Sequence, residues 1–212
     1  KRTLEYLKQQ GRENDYVEMK ADADATYDQV LEIDMSTLEP MVAKPHSPDA
    51  VVPARELEGM AINQVVIGSC TNSSFADMMR AAKILKGRKV AEHVSLVIAP
   101  GSSSILAMLS ENGALADMIQ AGARILECGC GPCIGMGQAP LSKGVSLRTI
   151  NRNFKGRSGT NDAGVYLVSP EVAALSAVKG CFSSMFEDDM YLEEVPSTPF
   201  IKNANFFIND YD

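Results

Sequence analysis

Histidine is scarce in this chain. His46 and His93 are the only two among 212 residues. His46 sits in a proline-rich segment and His93 in a polar connection, and both read as structural or solvent-facing. The five cysteines are too few for a disulfide scaffold, and their odd number leaves one thiol over. There is no run of Lys and Arg, and the formal net charge is −7. That balance argues against a nucleic-acid surface, while leaving room for a small basic pocket that takes an anionic substrate. No stretch of apolar residues is long enough to predict a membrane span. No signal-peptide pattern stands at Lys1. With no initiator methionine, and a helix-like KRTLEYLKQQGRE at once, the chain reads as a piece of a longer protein.

With 45% hydrophobic and 22% charged residues, the composition is that of a globular protein. The length predicts one large domain with extensions, or one and a half domains. The expected division is an N-terminal extension over 1–58 packing on the core, a core domain over 59–185, and over 186–212 the start of a linker to a further domain. Cysteine usage fits a reducing compartment, the cytoplasm first, with the mitochondrial matrix also open.

The pattern along the chain alternates between strand and helix. Residues 1–10 read as helix ended by Gly11, and 20–28 as an acidic loop. QVLEIDMSTL (29–38) alternates apolar and polar residues and predicts a strand. Residues 41–54 carry Pro45, Pro48 and Pro53 and predict an extended, irregular path. QVVIGS (64–69), SLVIAPG (95–101), ARILEC (123–128), VSLRTI (145–150) and VYLVSP (165–170) read as strands. Helices are predicted over 75–87, with Ser73 or Ser74 as N-cap and Gly87 at the end, over 102–112, over 114–122 after a break at Gly113, and over 170–180. The predicted class is therefore α/β, a three-layer, doubly wound, mostly parallel sheet with helices on both faces. In such sheets ligands bind beyond the carboxyl ends of the strands. Cys70, the Cys130 loop and the Asn151 loop all follow predicted strands and are expected at that edge.

Cys70 lies in Gly-Ser-Cys-Thr-Asn-Ser, and Cys130 and Cys133 in Cys-Gly-Pro-Cys. Thiolates on glycine- and serine-rich loops after strands can wrap a metal cluster. Three protein ligands rather than four would leave one iron open to substrate, as a Lewis acid. Taken alone, Cys70 also reads as a buried structural thiol. A four-cysteine zinc site drawn from Cys70, Cys128, Cys130 and Cys133 is a rival, because Cys128 and Cys130 point the same way if they lie in a strand.

The runs GSCTNSSFADM, CGPCIGMG and NRNFKGRSGT, followed by VYLVSPEVAALSAVKG, resemble the aconitase superfamily in order and spacing, densely over residues 60–185. That family comprises aconitases, homoaconitases and 3-isopropylmalate dehydratase large subunits. The resemblance is to the third, cluster-ligating domain of an aconitase, without the first two domains and without the mobile fourth. It implies a [4Fe–4S] cluster held by Cys70, Cys130 and Cys133. Cys128 departs from the family pattern; it reads as a harmless small residue, a spurious fourth ligand or an oxidation partner.

The resemblance also implies that Arg152 and Arg157 bind substrate carboxylates and that Asn151 lies beside the cluster. Planar, permanently charged forks suit such a di- or tricarboxylate. Arg148 and Lys155 read instead as solvated surface charges. Ser69, Thr71 and Asn72 flank the first ligand and could hydrogen-bond the cluster sulfurs, or simply form a turn after a strand. PGSSS (100–104) reads equally as an anion-binding helix start or as a plain N-cap.

The implied reaction is reversible dehydration and rehydration of a hydroxy-acid. In the family the base is a serine of the fourth domain and the acid a histidine system of the first. The other domains of the same polypeptide are therefore the implied partners, and the isolated chain is expected to be inactive. Gly-Pro between Cys130 and Cys133 points to aconitase and to the citrate–isocitrate step of the tricarboxylic acid cycle, with homoaconitase or 3-isopropylmalate dehydratase as the alternative. Two non-catalytic readings stay open, an RNA-binding module and a zinc-stabilised domain. The absence of basic patches interleaved with aromatics counts against the first.

Overall fold

The computed structural model describes residues 2–190, which fall into two compact units, one within residues 2–38 and one from Glu39 onward. In the first unit, helix α1 (Arg2–Gln9) ends at Gly11, whose φ is 71°. The strand predicted over 29–38 is absent. That stretch is exposed, with Val30, Leu31 and Ile33 all more than 60% accessible. Its only regular feature is a 3-10 turn over Met35–Thr37. The Asp34 carboxylate accepts from the Ser36 backbone N–H at 2.9 Å. Alternation alone does not make a strand when no apolar surface meets it and an aspartate supplies a local turn.

The second unit is built on one seven-stranded sheet: β1 (Met41–Ala43), β2 (Val51–Pro53), β3 (Gln64–Gly68), β4 (Ser95–Ala99), β5 (Arg124–Ile125), β6 (Val145–Arg148) and β7 (Gly164–Leu167). The spatial order is β2-β1-β7-β6-β3-β4-β5. Strands β3 to β7 run parallel, and the β1–β2 hairpin is antiparallel at one edge. The proline-rich 41–54 stretch is thus ordered as an edge hairpin. Pro45 and Pro48 lie in its connection and Pro53 at a strand end, where a missing N–H is tolerated. Strand β5 is shorter than predicted, so Cys128 lies beyond it. The sheet reads outward in two directions from β3 and β6, which places a topological switch point between those two strands.

Helices α2 (Phe75–Leu85), α3 (Ser103–Glu111), α4 (Ala114–Ala121) and α5 (Pro170–Lys179) pack on one another. Ser74 and Asp77 form a reciprocal capping box at the start of α2. The Ser169 hydroxyl caps α5, and Pro170 occupies its first position. These helices share a core with Val65 and Ile67 of β3, Leu96 and Ile98 of β4, and Leu147 of β6. The alternate residues Val66 and Val97 are equally buried but lie outside that cluster, because successive side chains point to opposite faces.

The opposite face carries Gln64, Ser95, Ser146 and Arg148. Among the described residues the segment around Pro132–Ala139 covers it. Loop carbonyls satisfy its polar side chains. The expected linker start packs on the core as far as it is described: Phe186 contacts it and Met190 belongs to it. Residues 191–212 lie outside the described residues.

Candidate metal centre and substrate loop

Strand β3 leads into the first cysteine through a turn that its sequence dictates. Gly68 has φ 117°, and a Cβ there would run into the Ala99 carbonyl of β4. Ser69 follows, also left-handed at φ 72°. Two such residues in succession turn the chain sharply over the end of β4. Ser73 donates to the Ser69 carbonyl and closes the turn. Cys70 is left exposed at the carboxyl edge of the sheet.

The second loop brings its thiols to the same place. Cys130 precedes a 3-10 turn over Gly131–Ile134, with Cys133 buried inside it. The Cys70 and Cys130 sulfurs are 3.8 Å apart. The Cys133 thiol donates to Ser69 Oγ at 3.0 Å, and Ser69 in turn lies 3.9 Å from Cys70 Sγ. The structure therefore gathers the three predicted cysteines, two directly and the third through a buried serine. Thr71 Oγ1 is 3.7 Å from Cys70 Sγ. Asn72 faces elsewhere, its amide donating to the Thr149 carbonyl. Cys128 stands apart with no thiol partner among the described residues.

The thiols differ in acidity. Hydrogen bonding from Thr71, then from Cys130 and Ser69, holds the Cys70 thiol below its ordinary range. The hydrogen bond to Cys70, and then the charge of Cys133, push Cys130 up. Burial raises Cys128. Cys70 is thus a readier thiolate than Cys130 or Cys128.

The loop after β6 completes the edge. Thr149 Oγ1 accepts from the Gly68 N–H at 2.8 Å, which ties the start of this loop to the Cys70 turn. Asn151 and Arg152 follow and are exposed. Asn153 is fully buried, and its amide donates to the carbonyls of Lys44 and Val165, which anchors the loop. Arg157 lies with its guanidinium carbon 5.8 Å from the Phe154 ring centroid, and its Nε is buried without a hydrogen-bond partner. Ser158 donates to the Cys133 carbonyl at 3.3 Å, so the Arg157 loop is held against the cysteine loop. A contact at Ser158 therefore ties the loop that carries Arg157 to the loop that carries Cys133. Asn151 and Arg152 reach the same edge only by their position after β6.

Several expectations resolve here. PGSSS is a plain N-cap, with Ser102 Oγ accepting from the Ile105 N–H. His93 Nε2 donates to the Gly180 carbonyl at 2.8 Å, and His46 is exposed. Lys155 is exposed as expected. Arg148 is the correction: it is fully buried, not solvated. Its Nε donates to Ser146 Oγ, Nη1 to the Pro132 carbonyl, and Nη2 to Gln64 Oε1 and the Gln138 carbonyl. Burial pushes its pKa down to about 10, an effect that a Cys133 thiolate opposes. One signal of this was present in the sequence. Ser146 and Arg148 are two apart in a strand and therefore share a face.

A family profile described as Aconitase family (aconitate hydratase) matches residues 1–58 and 53–180. The chain belongs to the aconitase family. It is 46% identical over 179 residues to the 3-isopropylmalate dehydratase large subunit 2 of Archaeoglobus fulgidus, covering 84% of this chain and 43% of that protein. It is 41% identical over 194 residues to the methanogen homoaconitase large subunit of Methanocaldococcus jannaschii, covering 87% of this chain and 46% of that one. A 3-isopropylmalate dehydratase large subunit of Methanopyrus kandleri is 46% identical over 181 residues, covering 84% and 43%. The chain thus spans less than half the length of these curated relatives. Gly-Pro between Cys130 and Cys133 had pointed to aconitase itself; these similar chains carry the alternative names instead.

The donor set suits the family's cofactor. Three thiols on two loops ring the sheet edge, and a cuboidal iron–sulfur cluster spreads its ligands over separate irons. A single zinc ion needs its donors around one point. The zinc reading also loses its premise, since Cys128 is not in a strand.

Proposed function

We propose that this chain is the cluster-holding part of a hydro-lyase. The enzyme would dehydrate and rehydrate a hydroxy-acid bearing two or three carboxylates, of the kind that 3-isopropylmalate dehydratase or homoaconitase is named for. The observation that carries this reading is the convergence of Cys70, Cys130 and Cys133 beside the Arg157 loop at the switch point of the sheet. The names of the similar proteins support the substrate class over citrate.

A [4Fe–4S] cluster held by Cys70, Cys130 and Cys133 would supply a Lewis acid for the substrate's hydroxyl and carboxylate oxygens. The chain's own residues do the rest. Arg157 would offer the outer N–H groups of its guanidinium fork to a substrate carboxylate. Arg152 and Asn151 are free at the same edge and take the remaining carboxylate oxygens. Stacking on Phe154 limits the rotation of the Arg157 fork, which fixes the substrate's orientation. Ser69 and Thr71 donate to the ligand sulfur of Cys70, and a hydrogen-bonded thiolate is a weaker base and a more stable ligand.

Proton transfer is assigned to the rest of the polypeptide. Ile134, Met136 and Phe154, each about half exposed or more, form an apolar rim on these loops for that remainder to cover. The large-subunit names of the relatives support a small-subunit partner as well.

The test is anaerobic reconstitution with iron and sulfide, followed by assay of the complete polypeptide with its partner. Incorporation of about four irons per chain is expected, with turnover of 3-isopropylmalate or homoaconitate faster than that of citrate. A preparation that loads iron yet turns over citrate alone would refute the substrate assignment. Failure to bind iron and sulfide would refute the reading as a whole.

A further inference from the structure

The geometry points to Arg148 as a positioning residue that clamps the Cys130–Cys133 loop to the sheet and places a positive charge behind Cys133. The inference rests on the cluster reading for its second half only.

A guanidinium has five N–H donors, and the donors of Arg148 make four hydrogen bonds, all to neutral oxygens. Two of the acceptors are the Pro132 and Gln138 carbonyls, which bracket Cys133 on the loop. The other two, Ser146 Oγ and Gln64 Oε1, belong to the adjacent strands β6 and β3. Ser146 also donates to Gln64 Oε1 at 2.7 Å, and the Gln64 amide donates to the Ala139 carbonyl at 3.1 Å. Sheet and loop are thereby joined by one buried network with the guanidinium at its centre.

Among the described residues, no carboxylate pairs with Arg148. A buried ion without a counter-charge is unfavourable, and an apolar side chain of similar volume is often at least as stable there. An anionic metal–thiolate centre on Cys133 provides the missing negative charge. In return, a nearby buried cation favours the more negative, reduced state of such a centre.

Two variants test this in the whole chain, Arg148→Met and Arg148→Lys. First, cluster-free reduced protein is alkylated with iodoacetamide and each cysteine is followed by mass spectrometry. Arg148→Met should release the loop, so that buried Cys133 reacts at least about tenfold faster while Cys181 keeps its wild-type rate. Second, the reconstituted proteins are titrated with dithionite and followed by electron paramagnetic resonance. The midpoint of Arg148→Met should fall by about tenfold in the one-electron equilibrium, ~59 mV. Arg148→Lys keeps the charge and loses the fork. It should hold the wild-type midpoint while its Cys133 reacts faster than wild type.

Unchanged protection of Cys133 in Arg148→Met overturns the clamp. An unchanged midpoint in loaded Arg148→Met overturns the charge role. A wild type that takes up no iron defeats the cluster reading and with it the charge role, and the alkylation rates still decide the clamp. If Cys181 also reacts faster in Arg148→Met, the variant has unfolded and Arg148→Lys decides alone. Wild-type protection of its Cys133 together with a lowered midpoint overturns both halves.

Discussion

Gly135 lies directly against the backbone carbonyl of Ser158, so closely that no Cβ fits between them. Its φ of 89° is a second reason for glycine. This contact and the Ser158–Cys133 hydrogen bond press the cysteine loop and the arginine loop together. Gly135→Ala must separate the loops. A loss of at least about 1–3 kcal/mol in stability is expected, read as a lowered urea midpoint with an unchanged slope.

The Ser69 hydroxyl bridges Cys133 and Cys70. Ser69→Ala leaves the Cys133 thiol without its acceptor and should cost about 1 kcal/mol. Ser69→Gly relieves the left-handed backbone and should cost less. Thermal melts of the two variants, compared side by side, check the order.

The thiols should be labelled in a fixed order as pH rises. Cys70 is held below its ordinary value, so its thiolate appears at lower pH; Cys128 is raised, so its thiolate appears later. In metal-free protein, alkylation from about pH 7 upward should mark Cys70 before Cys128. Peptide mapping at each pH gives the order, and the reverse would contradict the hydrogen bonding at Cys70.

Replacement of any one of Cys70, Cys130 or Cys133 by serine should abolish stable uptake of iron and sulfide. Cys128→Ser should load normally, because Cys128 stands outside the thiol group. Iron analysis and the visible absorption of the reconstituted chain separate the two outcomes.

Arg157→Lys keeps the charge and loses the bidentate fork and the stacking on Phe154. In the complete enzyme it should weaken substrate binding by about 1.5–3 kcal/mol, seen as a raised KM. The isolated chain, even when loaded with iron, should show no turnover.

Much of this was legible in the chain. QVVIG and SLVIA are short β-branched runs that only a buried strand accommodates, and Ser74 and Ser169 mark helix starts by their hydroxyls. The cysteines and the NRNFKGR loop were visible because each follows a strand and because their order matches the family. Arg148 was legible only in its face of the strand, not in its partners. Two of its four acceptors are carbonyls of a loop 10 and 16 residues earlier, and no side-chain pattern encodes a carbonyl's direction. The 29–38 segment misled for the opposite reason: its alternation is real, but its Val30, Leu31 and Ile33 stay exposed.

Strands β3 and β6 are neighbours, yet the Gly68–Thr149 hydrogen bond that joins their ends spans 81 residues of chain. A nascent polypeptide therefore has Cys70 in hand long before its counterpart exists. The thiol rim is assembled only when the last central strand docks, a long-range closure that is slow compared with helix formation. A chain truncated before Thr149 should accordingly present loose thiols instead of a gathered edge.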